Sequence, residues 1–260
     1  IDKIRLIDEP TAAALGYGVE NDDYMLVVDF GGGTLDFSLV ELNSDGKKQN
    51  QGFILKWGDK LFGQDSSQKA KIAKVVAKAG MNLGGCDIDN WILDYFHRQQ
   101  GIVKSSLTNR LAEKLKIRLS QEMEAQETFF DETTLKIHNL SLDRATFEQI
   151  LEENQFFQQL DSLMKNVLQQ AKANGVYSGY IESAILVGGS GQIPSVNKWL
   201  QKYFPPEKIK CDRPFDAIAL GALKLEQNLQ IKDFLYHGYG VRYWNRRQNR
   251  HDWHTIIPCG

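Results

Sequence analysis

Two aspartates bracket three glycines and a threonine in VVDFGGGTLDFSLVEL, residues 27–42. Glycine main chain lets an incoming group come close, and its N–H groups can converge on an anion. Bonds to a charged acceptor are roughly twice as strong as neutral ones. Gly31, Gly32 and Gly33 thus have the makings of a phosphate cradle, with the Thr34 hydroxyl as a further donor. Asp29 and Asp36 would repel phosphate unless a hard cation stood between, and magnesium does this through retained waters and one or two carboxylates. Glu9, just ahead of a helix start, is a third acid of this kind. The same residues also suit a plain tight turn with acids at strand ends, and position alone does not choose.

The segment after the glycines narrows the chemistry. Leu35, Phe37 and Leu39 alternate with Thr34, Asp36 and Ser38, the period of a half-buried strand. A Walker loop and a dinucleotide fingerprint both run from strand into helix, so neither fits here. A second loop, LVGGSGQIP (186–194), does lead from strand to helix. There Gly188 and Gly189 would border a sugar or base and Ser190 would donate to it, although ordinary connections look the same. Glu113, Lys116 and Ser120 lie three and four apart, opposite a leucine stripe, where spacing by itself favours a solvated helix face.

The elements that hold these residues follow an α/β pattern. Strands are expected at 4–8, at 24–30 and just after the glycines, with a helix from Pro10 closed by Gly16 or Gly18. Ile72, Val75, Val76 and Ala79 predict a helix over 65–79 stopped by Gly80, its Lys71, Lys74 and Lys78 on one solvated face. A glycine turn leads into a helix within 83–96, capped by Asp87. A long helix over 106–126 carries Leu107, Leu111, Leu115 and Leu119 on one stripe. Short strands fill 127–140, helices cover 156–175 and 216–228, and 183–204 reads as strand, loop and a helix from near Pro194. From about Leu229 the texture changes, and 238–257 alternates like a β-hairpin around a basic turn.

Composition excludes several classes. The 260 residues are 42% hydrophobic and 25% charged, with net charge −2, so no overall field recruits nucleic acid or acidic lipid. No apolar run approaches the ~20 residues of a membrane span. Three widely spaced cysteines argue against a disulfide framework and for a reducing compartment, by default the cytoplasm. His251, His254 and Cys259 are too few for a zinc site. Arg242, Arg246, Arg247 and Arg250, among Tyr243, Trp244 and Trp253, suit a basic edge hairpin better than a nucleic-acid surface. The chain opens on Ile1 in mid-pattern, and both ends read as cut.

In order along the chain, IDEPTAAALGYG (7–18), DFGGGTLDFSL (29–39), LGGCDIDN (83–90), AEKLKIRLS (112–120) and ILVGGSGQIPSV (185–196) closely resemble motifs of one family. It is the DnaK-type heat-shock chaperones, the seventy-kilodalton family of actin-like ATPases, in their nucleotide-binding domain. The resemblance implies that residues 1–228 form the second lobe of an actin-like (ribonuclease H-like) α/β domain with an inserted α+β subdomain. Residues 229–237 would then be an interdomain linker, docking through Ile231, Phe234 and Leu235, and 238–260 a truncated start of a β-rich peptide-binding domain.

The resemblance further implies ATP/ADP and magnesium as cofactors. Gly31, Gly32, Gly33 and Thr34 would hold phosphates, with Gly84 and Gly85 as a further contact. Asp29 and Asp36 would hold the metal through water, and Glu9 would organise metal and attacking water. Glu113, Lys116 and Ser120 would contact ribose and adenine, and Gly188, Gly189 and Ser190 would border the adenosine. Ile117 and Gln192 stand where the family has arginines, and Phe215 where it has an acid, so base affinity or selectivity is expected to differ. The family's Asp-x-Gly-Thr-Thr loop and catalytic lysine would precede Ile1, which implies little hydrolysis by this chain alone. The implied parent couples ATP hydrolysis to binding unfolded polypeptide, with J-domain and nucleotide-exchange co-chaperones. A face left bare by the first lobe would favour self-association. The rival readings are a non-hydrolysing nucleotide-gated module and a sugar kinase of the same fold.

Overall fold

The computed structural model describes residues 7–18, 23–43, 72–131, 134–224, 230–231, 239–245 and 248–257. The apolar run at 24–30 forms β1 (Asp23–Phe30), which turns through the glycines into β2 (Leu35–Asn43). The two strands are antiparallel, with Phe30 opposite Leu35 and Asp29 opposite Asp36. The expected strand therefore succeeds the glycines. β3 (Ile72–Met81) continues the antiparallel side, while β6 (Ile181–Val187) lies parallel to β1 and β7 (Ile209–Lys210) parallel to β6. β8 (Gln230–Ile231) pairs in parallel with Ile72 and Ala73, giving the order β7-β6-β1-β2-β3-β8.

The period of two sorts side chains onto two faces. Leu26, Val28, Phe30, Leu35, Phe37 and Leu39 enter one core layer; Met25, Val27, Val40 and Leu42 enter the other. Helices α5 (Phe156–Ala173) and α6 (Pro194–Leu200) cover the first layer, where Trp199 packs on Phe37. Helices α1 (Glu9–Gly16) and α7 (Ala217–Lys224) cover the second. Between β3 and α5 the chain inserts α2 (Gly85–Gln100), α3 (Ser106–Leu119), the hairpin of β4 (Glu124–Asp131) and β5 (Lys136–Asp143), and α4 (Arg144–Glu153). Its apolar faces join the first layer through Ile88, Phe96, Leu115, Leu140 and Phe147. β9 (Tyr239–Asn245) and β10 (Arg250–Ile257) form the expected C-terminal hairpin.

Several expectations are corrected. The helix expected over 65–79 is, from Ile72 on, strand β3. A bulge between the partners of Leu39 and Val40 shifts its parity: Ala73 faces one layer, Ala77 and Ala79 the other. Apolar spacing across a parity shift imitates a helix. α3 stops at Leu119 rather than 126, because residues from Glu124 are drawn into β4, and Leu107 of the stripe is half exposed. Asp87 is not the N-cap of α2; Gly84 is, and Asp87 accepts the Gly84 N–H from one turn inside at 2.8 Å. The last helix is described over Ala217–Lys224, and residues 225–228 of its expected range lie outside the described residues. Of the strand expected at 4–8, Ile7 and Asp8 are not strand, and the remainder lies outside the described residues, as do Lys71, Phe234, Leu235, Arg246, Arg247 and Cys259.

Candidate functional site

The glycine turn is a tight hairpin closed by the Gly31 N–H donating to the Thr34 carbonyl at 3.0 Å. The N–H groups of Gly32, Gly33 and Thr34 have no partner among the described residues. None of Gly31 to Gly33 takes the left-handed conformation, and a Cβ built on Gly33 would meet nothing. One on Gly32 would meet only the Cys86 sulfur, at 4.0 Å. Neither backbone strain nor packing within the chain demands glycine at Gly32 or Gly33. Unpartnered amides along so bare a turn suit an anion that comes close to the main chain.

The turn is anchored from behind by α2. Gly85 N–H donates to the Gly31 carbonyl at 3.1 Å and Cys86 N–H to the Gly32 carbonyl at 2.8 Å. A side chain on Gly84 would collide with the Gly32 main chain, so glycine there is what allows the two segments to touch. The amides of Gly84 and Gly85 are thus already engaged, by Asp87 and by Gly31. They shape and hold the turn rather than offering donors of their own. The Ser190 hydroxyl donates to the same Gly31 carbonyl at 2.9 Å, joining the second glycine loop to the first across 159 residues. Gly188 has φ +84, and a Cβ on it would collide with the Phe30 carbonyl and lie 3.0 Å from Asp29 Oδ1. Only glycine suits that position.

Beneath the turn, one residue pair down the hairpin, Asp29 and Asp36 share the sheet face covered by α1. Burial pushes the Asp29 carboxyl above its ordinary value, the nearby Glu9 and Asp36 charges add to the rise, and Lys78 opposes it. Asp36 lies against Gly80 on β3, where a Cβ would displace it. The three expected acids therefore come together, with Lys78 facing them from a strand rather than from a solvated helix. Among the described residues no three His, Cys, Asp or Glu side chains could jointly ligate an ion. Carboxylates that reach a cation through retained waters require no such cluster.

Lys116 departs most from the spacing argument. Instead of facing solvent it is only 8% exposed, with Nζ 2.8 Å from the Gly85 carbonyl and 2.8 Å from Asp89 Oδ1. Asp89, also 8% exposed, is pushed up by burial and drawn down by Lys116. A Cβ on Gly85 would strike both Ser190 Oγ and Lys116 Nζ, so the lysine, the serine and the glycine turn's anchor meet at one point. Ser120 ends α3 with its hydroxyl donating to the Lys116 carbonyl, and Glu113 is exposed on the same helix. Asp89 was missed by sequence reasoning. The signal for it is that a buried lysine requires a counter-charge, but burial of Lys116 is itself a tertiary fact.

Known proteins are similar to this chain in sequence. The family described as Hsp70 protein matches residues 1–52 and 69–232. Chaperone protein DnaK of Deinococcus proteolyticus is 32% identical over 240 residues, 85% of this chain and 33% of the relative. Chaperone protein DnaK of Stenotrophomonas maltophilia is 33% identical over 245 residues, again 85% of this chain and 33% of the relative. The chain spans about a third of the length of these curated relatives. These matches bear out the actin-like α/β fold and favour neither the sugar kinase nor the non-hydrolysing module. Among the described residues no helix is long and apolar enough to cross a membrane.

Proposed function

The chain belongs to the Hsp70 protein family, and from that premise we propose that it binds ATP and ADP with magnesium as the nucleotide-binding part of a cytoplasmic DnaK-like chaperone. The carrying observation is the row of unpartnered amides at Gly32, Gly33 and Thr34, set directly above the paired Asp29 and Asp36. Those amides and the Thr34 hydroxyl hold the β- and γ-phosphates. Gly31, Gly84 and Gly85 keep the turn in place through their carbonyl and amide bonds. Asp29 and Asp36 would hold the cation through water, and Glu9 would help organise the metal and the attacking water. When bound, magnesium would neutralise phosphate charge. Lys116, Glu113 and Ser120 lie toward the ribose, and Gly188, Gly189 and Ser190 border the adenosine. Hydrolysis, its coupling to unfolded polypeptide and the J-domain and nucleotide-exchange partners belong to the whole protein.

The test is Gly32→Val. A Cβ there meets only the Cys86 sulfur, at 4.0 Å, so the substitution is expected to crowd the phosphate position without disturbing the core. Bonds to charged groups are worth about 1.5–3 kcal/mol each, so losing two predicts a loss of ATP affinity on the order of a hundredfold or more. That loss, read by calorimetric titration with ATP and magnesium, beside an unchanged thermal melt, is the expected outcome. Wild-type affinity in the variant rejects this site.

A further inference from the structure

Phe215 is 78% exposed, an aromatic ring left in water by a fold that buries Phe30, Phe37, Phe96, Phe147 and Phe156 almost entirely. Single exposed apolar side chains are common and usually carry no message. This one is held in a particular place. The carbonyl of its neighbour Pro214 accepts the Gly188 N–H at 2.9 Å, which ties the turn carrying Phe215 to the second glycine loop. The ring edge lies 3.5 Å from where a Cβ on Gly189 would stand, so the ring rests beside bare main chain. The next residue, Ser190, is buried with its hydroxyl on the Gly31 carbonyl. A continuous path thus runs from the phosphate turn through Ser190 and Gly189 to an exposed aromatic face.

We infer that Phe215 is the stacking platform for the base of the bound nucleotide, an affinity-determining residue of this chain. The inference rests on the nucleotide reading of the site and adds how the base is held. An aromatic ring against a base contributes through its π-face, and every base has one. Stacking therefore supplies affinity while discriminating little between adenine and guanine, in contrast to hydrogen bonds to a base edge. The ring is also large and has only two rotatable bonds, so holding a base against it orders little.

The experiment compares Phe215→Ala and Phe215→Tyr with the wild-type chain in calorimetric titrations with ATP, GTP and inorganic tripolyphosphate, magnesium present throughout. Phe215→Ala is expected to weaken ATP and GTP alike by about 5- to 150-fold, the range of aromatic–base stacking. Phe215→Tyr restores both, and tripolyphosphate, which has no base, binds all three chains equally. ATP affinity unchanged in Phe215→Ala overturns the inference. So does an equal loss for tripolyphosphate, which would mean that the ring acts through the fold. Failure of the wild-type chain to bind either ATP or tripolyphosphate would instead reject the nucleotide site itself, and the stacking role with it.

Discussion

At the scale of single residues, two partly buried aspartates near the site carry opposite consequences. Burial and neighbouring acids raise the Asp29 carboxyl. A folded-state value above the unfolded one means that the charged form destabilises the fold at neutral pH, and that this penalty fades as pH falls through the folded value. Asp29→Asn is therefore expected to raise the melting temperature of the ligand-free protein at neutral pH. The gain should disappear near and below the ordinary aspartate value of 3.8, and a gain that persists there would refute the assignment. Burial raises Asp89 too, and on that ground alone Asn would stabilise. Its contact with Lys116 at 2.8 Å decides otherwise, because the variant leaves a lysine buried without a counter-charge. Asp89→Asn is expected to cost on the order of 3–5 kcal/mol in denaturant unfolding. The acids around the glycines were legible in the sequence because they are local to one hairpin. The partner of Lys116 was not, since 27 residues and a loop separate Asp89 from it.

At the scale of elements, β3 shows how tertiary contact overrides a sequence pattern. Its bulge leaves main-chain groups without ladder partners, and α5 with its C-cap supplies them. Asn174 Nδ2 donates to the Val76 carbonyl at 2.8 Å, and Gln170 accepts the Lys78 N–H at 3.2 Å. Those bonds hold an alanine- and lysine-rich segment as strand against its local preference. Helices α1 and α7 cross so closely that Gly16 meets Ala217 main chain and Gly221 meets Ala12 main chain. Gly221 is thus a helix-crossing residue. Gly221→Ala places its methyl group on the Ala12 carbonyl, and overpacking of this kind costs about 1–3 kcal/mol or more. A lowered urea midpoint with unchanged slope is the expected readout; an unchanged midpoint would show that the helices part without cost.

At the scale of the whole molecule, stability concentrates where both sheet faces are covered. Leu26 and Val28 of β1 and Ile185 and Leu186 of β6 are almost fully buried, whereas the β9–β10 hairpin exposes Val241, Trp244, Trp253 and Ile256. A two-stranded hairpin is marginal by itself. Native-state hydrogen exchange is expected to be slowest in β1 and β6 and faster by orders of magnitude across 239–257. Equal protection in the two regions would contradict that gradient. The sequence by itself determined the strand–turn–strand around Gly31–Gly33, the second glycine loop and the hairpin near the end, because periodicity and turn chemistry are properties of contiguous residues, and its motifs carried the resemblance to the family. Tertiary structure decided that β3 is a strand, that Lys116 is buried against Asp89, and that the first amides of α2 grip the glycine turn instead of facing a ligand. Each of these depends on which segment packs against which. Burial and hydrogen-bond satisfaction across distant segments outweigh local preference.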